Sequence, residues 1–344
     1  MKAQITALDY HLPEKVLDNE TLAERFPEWQ AAQIEEKTGI RTRHIAAEDE
    51  TSADLAFAAA QKLFARGACQ PAEIDFILFC SQTQDYIMPS TACLLQDRLG
   101  IPQTAGALDI NLGCSAFIYG LSVAKGLIES GSASKVLLLN AETYSKIMAP
   151  QDKSVQTLFG DGAAATLVSA VELPAGAPDP LGPFVFGTDG AGEKIINIRA
   201  GMMRQREAGA PLPPAEGEAE RFGDQYLFMN GPAVFTFTLK AVPAAVKALL
   251  AKSGLEMEAI DMFVFHQANK FMIDAIRRQL RIPPEKFVID MQDKGNTVSA
   301  TIPISIVDVT AEGRVPAGAR VMLVGFGVGL SWGACLAQAT WVKA

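Results

Sequence analysis

Only three histidines occur in these 344 residues, His11, His44 and His266, so any histidine chemistry has few places to sit. Cysteine is little more abundant. The five (Cys69, Cys80, Cys93, Cys114 and Cys335) are odd in number and form no Cys-x-x-Cys spacing and no Cys/His cluster. That pattern argues against a zinc site or a disulfide framework, and for a reducing compartment. Positive charge is also short. The 30 Lys and Arg are outnumbered by 39 Asp and Glu, leaving a net charge of −9, the wrong sign for nucleic acid or an anionic membrane surface as a general partner. Met1 to Val16 lacks the apolar centre of a signal peptide, and no run approaches the length of a bilayer span. A cytoplasmic protein without membrane contact is expected.

What the chain does have is apolar material, 49% of residues, enough for two closely packed halves. Short apolar strands alternate with longer Ala-rich helical stretches, the pattern of an α/β protein. The chain also repeats itself. Ile74-Asp-Phe-Ile-Leu-Phe-Cys80 is similar to Ile260-Asp-Met-Phe-Val-Phe-His266, and Lys135-Val-Leu-Leu-Leu139 to Arg320-Val-Met-Leu-Val324, at offsets of 186 and 185 residues. Between them, Leu108-Asp-Ile110 and Val288-Ile-Asp290 each lead into a small-residue turn and a helix. Ordered repetition at nearly one spacing indicates a duplicated half-chain unit. The halves fall at 1–173 and 174–344, with 174–224, rich in Pro, Gly and charge (Pro211-Leu-Pro-Pro214, Glu216 to Arg221), read as a loop-rich connection. Continuous apolar strands such as Val136 to Leu139 belong in a sheet covered on both faces, so a layered α/β/α/β/α body follows, with the active site where the halves meet.

Cys114 lies in Asp109-Ile-Asn-Leu-Gly-Cys-Ser-Ala-Phe117. A strand ends, Gly113 permits a sharp turn, and a helix is expected from about Cys114 through Lys125. Sulfur at a helix N-terminus is favoured as thiolate, and the backbone N–H there can bind an oxyanion. The other four cysteines read as small buried hydrophobes. His266 ends the apolar strand Met262 to Phe265, a place where α/β proteins put function; His11 and His44 read as surface residues. Asn296, in the turn Gly295-Asn296 after the expected strand Phe287 to Asp290, holds the position that matches Cys114 in the first half. Gly325-Phe-Gly-Val-Gly-Leu-Ser-Trp-Gly333 lacks the spacing of a dinucleotide loop. It reads instead as backbone that approaches a ligand and offers N–H groups.

Taken together, Gly-Cys-Ser-Ala-Phe at Cys114, Phe159-Gly-Asp-Gly-Ala163, His266-Gln-Ala-Asn269, Gly295-Asn-Thr, the closing Gly-rich run, Thr38-Gly-Ile-Arg-Thr-Arg-His-Ile45 and Pro89-Ser-Thr-Ala-Cys93 resemble β-ketoacyl-acyl-carrier-protein synthase III over nearly the whole chain. The resemblance implies a thiolase fold, a homodimer and no cofactor or metal. The substrates it implies are acyl-CoA or an acyl-carrier thioester, and malonyl-acyl-carrier protein. It also implies that Cys114 takes the acyl group, His266 and Asn296 serve the decarboxylating malonyl thioester, and the N–H groups of Cys114 and Gly329 form the oxyanion hole. Met88 matches the position that closes the partner's acyl pocket. Lys37, Asn269 and Lys270 fall where the carrier or coenzyme A is held. Departures from the family pattern lie in this last region and in the 202–224 stretch, which is longer than usual. Gln33 and Lys37 stand where Trp and Arg are often found, Trp29 is out of register, and Phe271 replaces a basic residue.

A cysteine peptidase would leave the repeat unexplained and would need a different signature at the nucleophile. A hydroxymethylglutaryl-type synthase needs a carboxylate base where this chain has Gln82. An acyltransferase that passes the Cys114-bound acyl group to oxygen or nitrogen remains as the alternative, with Asn296 as the discriminating residue.

Overall fold

The computed structural model describes residues 1–209 and 220–342. Pro211 to Pro214 and residues 216–219 of the expected connection therefore lie outside the described residues. The first sheet contains β1 (Lys2–His11), β2 (Phe76–Cys80), β3 (Gly106–Ile110), β4 (Lys135–Glu142) and β5 (Gly162–Val171), in the order β1-β5-β4-β2-β3. The second contains β6 (Leu181–Thr188), β7 (Met262–Phe265), β8 (Arg320–Gly327) and β9 (Ser331–Gln338), in the order β7-β8-β9-β6. The sequence repeat occupies equivalent places. β2 pairs in parallel with β4, and β7 in parallel with β8.

Helices α1 (Ser52–Ala65) and α2 (Thr91–Arg98) cover one face of the first sheet, and α4 (Gly231–Ser253) and α5 (Lys270–Gln279) one face of the second. The layer between the sheets is α3 (Ala116–Glu129) and α6 (Thr301–Ala311). A helix gripped from both sides has to be apolar all round. Phe117, Ile118 and Leu121 of α3 and Ile302 and Ile306 of α6 share one buried cluster with Leu78 and Val136 of the first sheet and Val264 and Leu323 of the second. The result is the five-layered α/β/α/β/α thiolase fold. Helix α4, of 23 residues, is long and apolar enough to cross a bilayer, against the expectation that no run is. Here it packs on β6, β8 and β9.

Two further elements differ from expectation. The segment 174–224 is not only connection, because β6 forms an edge of the second sheet and Ile196–Asn197 pairs with Phe228–Met229. Phe287 to Asp290 is not a strand. A single bridge joins Phe287 to Phe263, and the Gln267 amide takes the place of a neighbouring strand: its Nε2 donates to the Val288 carbonyl at 3.3 Å and its Oε1 accepts from the Asp290 N–H at 2.7 Å.

Candidate active site

Cys114 stands between the end of β3 and the start of α3. Helix geometry begins at Ala116, two residues later than expected, with Ser115 as its cap. The turn is held by Ser115 Oγ and Ser331 Oγ, 2.7 Å apart. Two glycines make room for it. A side chain at Gly113 would collide with Gln82 Oε1, and a Cβ at Gly327 would stand 2.8 Å from the Cys114 sulfur. The sulfur is buried, and burial, followed by the charge of Glu142, pushes its pKa up to about 12. The backbone amides of Val328 and of Cys114 itself act the other way without offsetting this. The thiolate expected from the helix dipole is therefore not the resting form: at neutral pH Cys114 is a thiol. An amide that faces the sulfur from the Gly-rich turn is that of Val328, and Gly329, the next residue, has φ +144°.

His266 directly follows β7, where its N–H donates to the Val324 carbonyl at 2.8 Å. Burial lowers its pKa to about 3, so the imidazole is neutral. Its ring meets Phe326 edge-on, with centroids 5.4 Å apart, and its Nδ1 lies 2.7 Å from the Thr301 hydroxyl. The single proton of that hydroxyl goes either to Nδ1 or to the Val298 carbonyl 3.0 Å away; in the first case Nε2 carries the ring proton and is a donor. Asn296 is pinned between Leu158 and Gly160 by backbone bonds of 2.9 and 3.1 Å. Its Oδ1 accepts the Val298 N–H at 2.9 Å, which fixes the amide. Gly295 reaches this turn with φ +72°, in close contact with the Leu158 carbonyl.

Cys114, His266 and Asn296 line a single cavity of about 440 Å³ whose walls are otherwise largely apolar, among them Leu158, Phe159, Val234 and Phe326. Its mouth is aromatic. Phe271 is 67% exposed and stacks on Phe235 at 5.4 Å between centroids. The same Phe271 borders an outer cleft with Trp29, Gln33 and Lys37. There the Lys37 ammonium lies 4.5 Å from the Trp29 ring centroid and that of Lys153 5.9 Å, so Trp29, out of register in the sequence, is an aromatic platform beside the mouth. Asn269 borders the cavity, but its Oδ1 caps α5 through the Met272 N–H at 2.8 Å. Lys270 packs over Gly39 and lines a separate groove. Met88 is far more exposed than buried and does not reach the cavity. His11 and His44 are half-buried on strands, not on the surface, and His44 Nδ1 lies 2.5 Å from the Pro13 carbonyl. Among the described residues no group of three His, Cys, Asp or Glu is placed to hold a metal ion.

Sequence reasoning missed Val328, Thr301 and Glu142. Glu142 did leave a signal, an acid ending a strand whose preceding residues are nearly all apolar. It is fully buried, and its Oε2 accepts from the Gln82 N–H at 3.0 Å and the Thr83 hydroxyl at 3.2 Å. Burial raises its pKa to about 8.

Residues 108–190 match the family described as 3-oxoacyl-[acyl-carrier-protein (ACP)] synthase III, and residues 250–339 match its C-terminal counterpart. A β-ketoacyl-[acyl-carrier-protein] synthase III of Clostridium perfringens is 35% identical over 337 residues, covering 97% of this chain and 98% of its own. A crystal structure of a 3-oxoacyl-(acyl-carrier-protein) synthase III superposes with a TM-score of 0.93 at 51% identity, covering 98% of this chain and 99% of that one. A priming β-ketosynthase from a polyketide biosynthetic pathway superposes with a TM-score of 0.85 at 28% identity, covering 99% and 97%.

Proposed function

The chain belongs to the 3-oxoacyl-acyl-carrier-protein synthase III family of condensing enzymes, and we propose that it performs the condensation with Cys114, His266 and Asn296. The observation that carries this reading is their convergence on one largely apolar cavity that opens beside the Trp29 platform. In the first half-reaction the Cys114 sulfur attacks an acyl thioester. The acyl–sulfur bond of the donor breaks, a new one forms to Cys114, and the thiol proton ends on the departing thiol. The amides of Cys114 and Gly329 are the pair assigned to the oxyanion, while the Val328 amide faces the sulfur itself.

In the second half-reaction the carbonyl of malonyl-acyl-carrier protein accepts hydrogen bonds from the Asn296 amide and from His266 Nε2–H. The bond to the carboxylate breaks, CO2 leaves, and its electron pair becomes the enolate those donors stabilise. The α-carbon then attacks the acyl carbonyl, the bond to Cys114 breaks, and the thiolate released takes up a proton from solvent. A neutral imidazole that donates needs Nδ1 as acceptor, and the Thr301 hydroxyl is placed to supply that proton. Neither half-reaction calls for a cofactor, since both substrates arrive as thioesters. Lys37, with Trp29 and Phe271, would meet the carrier or coenzyme A at the mouth; Asn269 and Lys270 would act there only indirectly. A homodimer, a cytoplasmic location and a boundary between halves near 173/174 complete the reading, together with a role in fatty-acid or related polyketide synthesis.

Incubation with acyl-CoA and acyl-carrier thioesters, followed by intact-protein mass spectrometry, tests the first step. The wild type should gain one acyl mass and Cys114→Ala none; an adduct that persists in the variant would sink the assignment.

A further inference from the structure

Phe159 is part of the wall of the cavity that holds the three reactive side chains. A second cavity, of about 560 Å³ and open at the surface, lies nearby, bounded by Gln82, Thr83, Tyr86, Ile87 and Ile147 among others. Tyr144 links the two walls. It is 2% exposed and belongs to the apolar cluster around Cys114. Its ring packs on Phe159, with centroids 5.1 Å apart, and its hydroxyl donates to Gln82 Oε1 at 2.6 Å. One contact of the side chain thus belongs to each cavity. Gln82 in turn is fixed against the reactive turn, because its Oε1 fills the space a side chain at Gly113 would need. Its backbone N–H is held by Glu142, two residues before Tyr144. A phenol packed at its ring and bonded at its tip has its few torsions fixed, so it stands as a rigid wall.

We propose that the Tyr144–Gln82 pair is the partition that sets acyl chain length: it confines the group on Cys114 to a short chain, and its loss joins the two cavities so that medium-length chains are accepted. The proposal rests on Cys114 being the acylated residue. A thioester arm that enters at Phe271 fills the first cavity as far as the sulfur. The acyl carbons then have to extend into the cluster of Tyr144, Phe159 and Leu330, where every side chain is already buried. In an apolar pocket a single methylene changes selectivity by roughly 10–200-fold, so one ring in this place is enough to decide the length accepted.

The test is to load the wild type, Tyr144→Phe, Tyr144→Leu and Gln82→Leu with straight-chain acyl-CoA thioesters from acetyl to decanoyl, reading the initial rate of adduct formation by mass. The ratio of decanoyl to acetyl rates should rise by roughly tenfold or more in Tyr144→Leu. A smaller rise is expected in Tyr144→Phe, which loses only the hydrogen bond, and in Gln82→Leu, which also changes the side chain packed against Gly113. Tyr144→Phe keeps the ring packed, so its profile decides the matter even where the leucine variant fails to fold. A wild type that takes decanoyl as fast as acetyl, or variants with the wild-type profile, would overturn the partition and leave the role of Cys114 standing. A wild type that takes no acyl group of any length would overturn the role of Cys114, and the partition with it.

Discussion

A thiol that rests protonated and an imidazole that rests neutral share one physical cause, burial, and it suits them to different halves of the reaction. Burial holds the Cys114 pKa near 12 and the His266 pKa near 3. A sulfur that strongly retains its proton takes one up readily when the condensation releases it. An imidazole that strongly refuses one stays a neutral hydrogen-bond donor and brings no positive charge into the apolar cavity. His266 and Asn296 are thus suited to the enolate and not to proton removal from Cys114. Removing one oxyanion-type donor costs on the order of 10²–10³ in rate. His266→Ala and Asn296→Ala should each slow CO2 release from malonyl-acyl-carrier protein by about that factor while the acyl adduct on Cys114 still forms. Normal CO2 release from both variants would refute the assignment. The identities of these residues were legible in the sequence because each sits at a turn that the repeat marks. Thr301 and Val328 were not, since a hydroxyl and a backbone amide leave no pattern until the chain folds.

At the scale of elements, what could be read was what burial on both faces forces. Val136 to Leu139 and Val321 to Val324 are apolar at every position because each sheet is covered twice. Elements whose sequence serves a neighbour were not readable. In β6, Leu-Gly-Pro-Phe-Val-Phe-Gly-Thr carries two glycines and a proline and reads as a loop, yet Gly187 is required because the Trp332 ring lies where its side chain would be. Likewise the start of α3 is displaced from Cys114 to Ala116 by the Ser115–Ser331 contact, a long-range bond. Strand β4 carries its own testable consequence at its last residue. Glu142 has a folded-state pKa of about 8, above its ordinary value of 4.5, so between those values the folded chain holds a proton that the unfolded chain has released. Stability contributed at this site is therefore present at low pH and is lost as pH rises through that window. Glu142→Gln, which cannot ionise, should show a shallower fall in melting temperature from pH 5 to 8 than the wild type. Parallel curves would mean that the carboxylate is ionised in the folded state throughout.

At the scale of the whole molecule, the surface beside the second cavity is left uncovered by the single chain. Strand β3 is an edge of the first sheet, with an exposed Leu108. An unpaired edge strand is a template for another strand, and in an antiparallel second copy it would extend the sheet across a twofold axis. On the same half of the chain Tyr86 and Ile87 are exposed and Met88 is 79% exposed, an arrangement a single chain has no use for. A homodimer would bury these side chains and bring Met88 of one copy toward the acyl space of the other. Stable interfaces of this kind bury on the order of 2,000 Å² or more, so the wild type should sediment as a dimer at micromolar concentration. Methionine is unbranched and adapts to varied apolar shapes. Met88→Phe should therefore narrow the range of acyl chains accepted, and Met88→Ala should widen it toward longer or branched ones, in variants that still sediment as dimers. This gate is distinct from Tyr144, because dilution to monomer would abolish the effect of Met88 and leave that of Tyr144 in place. A length profile unchanged in both Met88 variants, or a wild type that sediments as a monomer, would mean that each acyl pocket is built within one chain.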